Sequence, residues 1–384
     1  MPSEHSGWIA NSLITAFFTI SLNNVSTAAT QTDRIWSNQS LHITSLLFEH
    51  KHYRSFVFSP ESLRRVLALL HEGASGEARQ ELSALLGIRQ TESISINASD
   101  DPAVYATAVF VREPLKIDPA YAQRIKSFHR ANTQSVRQAD GGRVIDDWVA
   151  RATRSKILGL LGTRELSAEL VAVNALYFDG KWQHPFDPKR TTRKSFAGQG
   201  GKTLIPFMAV ESDFPHLANE EIEAVSLPYA GGGYVLDLIM PRRASSTALI
   251  RLLKEPRHWI GLRKVQNRHG HVEIPQFDIE SRFELKDTLK SAGMMASFDP
   301  GRADFTSMTS DKSQLFVGRV IQKVKLSVDE KGTIAAAATA AEMIGGLDPL
   351  SEFRFVANRS FLLMLRRTSD DALLIIGVFD ATAP

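Results

Sequence analysis

Side chains able to do chemistry occur throughout the 384 residues, but not in catalytic arrangements. No G-x-S-x-G, H-E-x-x-H, P-loop or G-x-G-x-x-G segment is present to expose a nucleophile, pair two zinc-binding imidazoles or cradle a phosphate. His269 and His271 flank Gly270 at a spacing that suits a metal, yet no third ligand is indicated nearby. The chain has no cysteine, which excludes thiolate ligands, cysteine nucleophiles and disulfides. No metal or other cofactor is expected, and no enzymatic activity.

One further group of residues has a chemical pattern. Arg251, Lys254, Arg257, Arg263, Lys264 and Arg268 lie close together with His258, His269 and His271, and Glu255 is the only acid among them. If the segment from Pro256 is an α-helix, Arg257, Lys264 and Arg268 share one face. Such a stripe, with Arg263 beside it, either binds a sulfated polysaccharide by charge or is a plain solvated face.

The elements that must position these groups belong to a soluble globular chain. Forty-three per cent of the residues are hydrophobic and 23% charged. Lys plus Arg is 45 against 42 for Asp plus Glu, so the net charge of +3 gives no reason to expect a nucleic-acid partner. Residues 1–29 stand apart, with Glu4 as their one charged residue at neutral pH, an apolar run from Ile9 to Leu22, and small residues up to Ala29. They are expected to be a signal peptide cut after Ala28 or Ala29, which makes the protein secreted and extracellular. Asn38 and Asn97 are then the candidate glycosylation sites, since Asn24 leaves with the signal and Asn358 adjoins a core strand.

Helical patterns dominate the first part of the chain. They run from Asp33 as cap to His50, from Ser59-Pro60 onward, from Glu77 to Leu86 before Gly87, from Pro119 to Ala131, and from Arg143 to Leu161. Strand patterns dominate after Val171, among them VAVNALYF, EAVSLPY, YVLDLIM, HVEIPQFDI and VIQKVKLSVD. No repeat or long linker divides the chain, so residues 30–384 read as a single α+β domain, expected to be monomeric.

The segment Val328–Phe361 is the informative one. Its block Ala335–Ala341 would be a helix by propensity alone, but it follows a strand and Gly332 and lacks amphipathic periodicity. As a strand, it would place Thr333, Ala335, Ala337 and Thr339 on one face without bulk. VDEKGT followed by alanines resembles the hinge of the reactive-centre loop of the serpin family. FVFSPES, NALYFDGKW, SLPYAGGGYVLDLIMP, HVEIPQFDIESRFELKDTLKSAGM, ADFTSM, FVANRSFLLML and IIGVF resemble other blocks of that family in the same order. The resemblance covers residues 31–384.

The resemblance implies helices around a large mixed or antiparallel sheet with smaller sheets, and an exposed loop over about residues 331–351. It implies a suicide-substrate inhibitor. A protease attacks the loop, forms a covalent acyl-enzyme, and is carried off as the cut loop inserts into the main sheet. Glu330, Gly332, Thr333, Ala335, Ala336, Ala337 and Ala338 match the hinge. Ser59, Ser62 and Asn174 match polar positions beneath the opening sheet, and Trp182 matches the residue at its top. Several positions depart from the family pattern. Gln322 stands where histidine is frequent, Ile334 where glutamate is common, and Ser360 where proline is usual. Only sixteen residues separate Gly87 from Val104, so the family's fourth helix is expected to be shortened or absent.

Counted from Gly332 as the family usually counts, the reactive bond is Gly346–Leu347; cleavage one residue on, at Leu347–Asp348, is the alternative. No Arg or Lys lies between Thr333 and Leu350, so a serine protease without trypsin-like specificity is the expected target, with a papain-like protease as another possibility. The competing function is a serpin-fold carrier, chaperone or signalling ligand that traps no protease.

Overall fold

The computed structural model describes residues 31–50, 54–88, 102–243, 245–333 and 352–381. The expected signal peptide, residues 89–101 with Asn97, where the fourth helix is expected to be shortened or absent, and the expected bait lie outside them. Helix α1 (Gln31–His50) begins before Asp33, which is therefore inside the helix and not its cap. Strand β1 (Phe56–Phe58) leads into α2 (Pro60–Gly73), where Ser59 has extended backbone and its hydroxyl accepts from the Ser62 N–H at 3.1 Å. Helix α3 (Gly76–Leu86) stops at Gly87, whose φ of 71° is left-handed. Next come β2 (Ala103–Arg112), α4 (Pro119–His129), β3 (Asn132–Val136) and α5 (Gly141–Ala152).

Helix α5 ends nine residues short of the expected Leu161. Arg154 and Ser155 have φ of 51° and 59°, which breaks the right-handed helix. Strands then take over: β4 (Leu170–Phe178), β5 (Gly180–Lys181), β6 (Thr192–Gly198), β7 (Gly201–Ala218), β8 (Ile222–Pro228) and β9 (Tyr234–Pro241). Helix α6 (Ser246–Lys254) precedes β10 (Asn267–Pro275) and β11 (Phe277–Glu284), and α7 (Lys286–Ser291) precedes β12 (Arg319–Val328). Strands β13 (Gly332–Thr333), β14 (Phe353–Val356), β15 (Phe361–Arg367) and β16 (Leu373–Phe379) complete the described chain.

Hydrogen bonding joins nine strands in the order β1-β16-β15-β9-β8-β7-β10-β14, with β6 also on β7. A second sheet has the order β11-β12-β4-β2-β3. Within it, β12 runs parallel to β4, an arrangement that needs a crossover; here the connection is everything between Phe178 and Arg319, more than a third of the chain. One face of this sheet rests on α2. The other is covered by α5, whose Ile145 and Val149 share a buried cluster with Ala106, Phe110, Val171, Val173 and Ile321. Among the described residues no helix is long and apolar enough to cross a membrane.

Strand β14 pairs parallel with β10 at the sheet edge, and a buried carboxylate adds a tie. Glu273 on β10 accepts from Arg354 at 2.6 Å and from His271 at 3.0 Å, and also from Lys194. Burial pushes this carboxyl up, but the three donors together outweigh it and hold it down at about 2. The carboxylate therefore adds stability that is full above the ordinary glutamate range near 4.5 and is lost as pH falls toward 2. Thermal melts of wild type and Glu273→Gln should differ most at neutral pH and converge between about pH 4.5 and 2. A gap that stays constant across that range would show that Glu273 is not the titrating anchor.

Candidate functional site

The parallel seam between β4 and β12 pairs Arg319 with Val171 at one end and Lys325 with Tyr177 at the other, and it sets Gln322 opposite Asn174. Both of these amides are buried. Gln322 grips the start of α2 with two bonds: its Oε1 accepts from Ser59 N–H and its Nε2 donates to Ser59 C=O, each at 2.9 Å. An amide both donates and accepts, so the departure from histidine leaves the junction hydrogen-bonded. Asn174 donates to the Thr107 hydroxyl on β2 at 2.8 Å. The Ser62 hydroxyl and Asn174 Oδ1 are buried without a hydrogen-bond partner. The structure thus brings Ser59, Ser62, Asn174 and Gln322 together beneath the seam. Thr107 belongs with them, although a strand threonine carries no signal that would have selected it.

At the upper end of the seam the chain turns back on itself. The Asp329 carboxylate accepts from the N–H groups of Lys331 at 2.9 Å and Gly332 at 3.2 Å. Gly332 has φ of 152°, and a Cβ there would sit 2.1 Å from the carbonyl oxygen of Gly180. Only glycine fits this approach. Gly332 and Thr333 then pair antiparallel with Lys181 and Gly180 of β5. Trp182 donates from its indole to Asp329 C=O at 2.9 Å and from its backbone to Lys331 C=O at 3.1 Å. Glu330 is held twice, by the Thr191 hydroxyl at 2.6 Å and by the Phe186 N–H on its carbonyl at 2.9 Å.

Thr333 is fully buried, with its hydroxyl 2.7 Å from that of Tyr229. The Tyr229 ring stacks on Trp182 at 4.4 Å. Burial drives the Tyr229 phenol far above its ordinary range, with the Thr333 bond opposing, so the pair is a neutral one. Tyr229, Thr191, Phe186 and Asp329 were not selected from the sequence. Tyr229 stands before the Gly231-Gly232-Gly233 turn, but nothing in its surroundings there distinguishes it from a core tyrosine.

Other expected sites fare differently. Ala335, Ala336, Ala337, Ala338, Gly346 and Leu347 lie outside the described residues, as does Asn97. Asn38 is half-buried on α1, and Asn358 is exposed between β14 and β15. Ser360 is buried and donates to Asp380 at 2.8 Å. The expected helix from Pro256 is absent: 256–258 and 260–264 are short 3₁₀ turns, and Arg268 is on β10. Trp259 interrupts the run by turning inward, where its indole donates to Leu252 C=O. Arg257, Lys264 and Arg268 therefore share no helical face. Arg257 pairs with Glu255 at 2.5 Å and Arg268 with Glu352 at 2.9 Å. Arg263 is largely buried, 3.4 Å from Asp371. His269 and His271 are engaged by Asp213 and Glu273, and no group of three ligands for a metal is found among the described residues.

The Tyr229–Thr333 bond yields a direct expectation. Tyr229→Phe leaves the buried Thr333 hydroxyl without its partner, a cost of about 1–3 kcal/mol. Hinge amides at Gly332 and Thr333 should exchange with solvent at least tenfold faster than in wild type, measured by hydrogen–deuterium exchange. Unchanged protection there would mean that the hydroxyl pair does not hold the hinge.

A family model described as serpin (serine protease inhibitor) matches residues 37–381. The chain is 27% identical to glia-derived nexin of Mus musculus, over 90% of this chain and 92% of the relative. It is 30% identical to plasminogen activator inhibitor 1 of Neovison vison, over 84% of this chain and 86% of the relative. The crystal structure of native protease nexin-1 with heparin superposes with a TM-score of 0.79 at 25% identity, covering 90% of this chain and 98% of that one. A match of this extent shows that the protein belongs to the serpin family.

Proposed function

We propose that this chain is a protease inhibitor that is consumed in acting and contributes no catalytic residue of its own. The observation that supports this most directly is the hinge: Gly332 and Thr333 already lie antiparallel to β5, beside the end of β4. A strand continuing from them would run antiparallel to both β4 and β12, the orientation that a strand entering between two parallel neighbours from this side must take. Fourteen residues from Gly332 to Gly346 reach about 46 Å when extended, at roughly 3.3 Å each, and the nine residues of β4 span about 30 Å on the same scale. The loop is long enough to cross the sheet.

In the proposed reaction the protease's nucleophile attacks the carbonyl carbon of Gly346, or of Leu347 in the shifted register. The ester forms as the peptide C–N bond breaks, and the new amine leaves with a proton from the protease's general acid. The severed loop then inserts, making the backbone hydrogen bonds of a central strand. Side chains in step with Thr333 face the same side of the sheet, and at 335, 337 and 339 they are Ala, Ala and Thr. The bait lacks Arg and Lys, which points to a serine protease with an apolar rather than an acidic primary pocket.

Action outside the cell is part of this proposal, with residues 1–29 as the signal and Asn38 and Asn97 as glycan acceptors. A sulfated glycosaminoglycan is a proposed second partner. Its contacts would be Arg257, Lys264 and Arg268 on the surface; Arg263 is committed to its buried pair.

Incubation with chymotrypsin-like and elastase-like proteases should give a complex stable in SDS, together with a released C-terminal peptide. That peptide should begin at Leu347, or at Asp348 in the shifted register. Thr333→Arg should convert the inhibitor to a substrate, cleaved without complex, because the guanidinium would have to enter a buried site. Simple cleavage of wild type, with no complex and no rise in melting temperature, would instead support a serpin that traps no protease. Protein recovered from the medium should begin near Ala29 or Thr30; an intact Met1 on it would count against the signal.

A further inference from the structure

Ser360 departs from the family pattern, and neither the hinge nor the expected bait uses it. With serine at 360, residues 358–360 read Asn-Arg-Ser, the acceptor triplet for asparagine-linked sugar. Proline there would supply no hydroxyl and no triplet. On sequence alone Asn358 is set aside because a core strand adjoins it. In the fold Ala357 and Phe361 are fully buried on either side, but Asn358 itself is exposed in the connection from β14 to β15. This connection is fixed by its main chain and by Arg359. Asn358 N–H donates to Val356 C=O at 2.8 Å, and Asn358 C=O accepts from Ala197 N–H at 2.7 Å. Arg359 donates from Nε to Pro241 C=O at 2.8 Å. The Asn358 side chain makes one bond, in which Oδ1 accepts from Arg359 at 3.2 Å. Among the described residues its Nδ2 donates to nothing, so replacing one hydrogen on Nδ2 breaks no bond of the fold. Asn38, by comparison, is half-buried inside the 20-residue helix α1.

The hydroxyl that completes the triplet is buried in the finished protein, where Ser360 donates to Asp380 at 2.8 Å. That bond cannot form early. Asp380 lies 20 residues further along the chain. Strands β15 and β16, which pair with each other and bury this region, lie between the two. In a chain made from its N-terminus, the triplet therefore stays open until synthesis is nearly complete.

We propose that Asn358 is an acceptor of N-linked oligosaccharide, modified before β15 and β16 close over Ser360. This rests on the export proposed above and is independent of loop insertion. The donor is an oligosaccharide joined through pyrophosphate to a membrane lipid. Asn358 Nδ2 attacks C1 of the first sugar. The C1–O bond to the pyrophosphate breaks, a C1–N bond forms, Nδ2 gives up one proton, and the lipid pyrophosphate leaves. In the folded protein the sugar stands at the end of β14, next to Ala197 of β6. Cleavage at Gly346–Leu347 or Leu347–Asp348 would sever the chain ahead of Asn358, so the C-terminal fragment of a cut molecule carries this sugar.

The test expresses the full chain in a glycosylating eukaryotic cell line and recovers protein from the medium and the secretory membranes. Peptide N-glycosidase in heavy-oxygen water converts each glycosylated asparagine to labelled aspartate, and mass spectrometry of the peptides locates the label. Position 358 should be labelled in most molecules. Asn358→Gln should lose the mass of one glycan from the intact protein. Ser360→Thr, which keeps a hydroxyl, should retain the label, and Ser360→Ala should abolish it with Asn358 still present. Asn358→Gln leaves the Ser360–Asp380 bond in place and serves where Ser360→Ala fails to fold. Exported protein with an unlabelled Asn358 overturns the acceptor and leaves export standing. Protein found only in the cytosol with Met1 intact overturns export. The chain is then given a leader of proven export in place of residues 1–29: label at 358 upholds the acceptor alone, and its absence overturns the acceptor as well.

Discussion

Seven register pairs from Arg319 to Lys325 join β12 to β4, and this ladder is the contact against which every other feature of the five-stranded sheet is set. The two strands belong to distant parts of the chain, and no tight turn connects them. What holds them is the ladder and the apolar layers on both faces. The polar bonds beneath the seam are neutral: the Gln322 amide of β12 on the Ser59 backbone, and the Asn174 amide of β4 on the Thr107 hydroxyl of β2. A neutral bond costs less to break than a buried ion pair, whose separated charges would each need a new partner. A buried ion pair of that kind lies in the larger sheet, Asp237 with Arg366 at 2.7 Å.

Much of this was legible in the chain because local chemistry and tertiary role coincide. Ser59 before Pro60 marks a helix start by capping alone, and the same residue meets Gln322. Gly87 ends α3 by its left-handed backbone, and Gly332 is required by its approach to Gly180. Composition and order then made the family resemblance readable from short blocks. Glu330, Gly332 and Thr333, which the resemblance assigns to the hinge, each have a bonded partner where the chain turns back.

The rest was illegible where an outcome depends on contacts far apart in sequence. Apolar periodicity runs on past Ala152 into Ile157, Leu160 and Leu161, so a longer helix is the natural expectation; those side chains are buried, but by a segment that crosses the sheet. The eighteen residues of β7 escaped because proline and charges interrupt their alternation, and they are held by partners on two sides. The cationic stripe failed because its spacing was counted on a helix that does not form. Arg263 then went inward, where Asp371 meets it. Tyr229 is the most instructive omission. Its importance lies wholly in what stands opposite it, and Thr333 is 104 residues away.

The two-residue pairing of β13 with β5 bears on the order of events in the proposed insertion of a cut loop. Starting a strand is the unfavourable part of forming one, since backbone freedom is lost before there are many bonds to compensate. In this chain the first rungs stand in the native fold, with Thr333 already desolvated. In the proposed insertion, entry of the loop is elongation from this existing pair of rungs, one residue after another, and alternation from Thr333 sets which side chains face each side of the sheet at every later step.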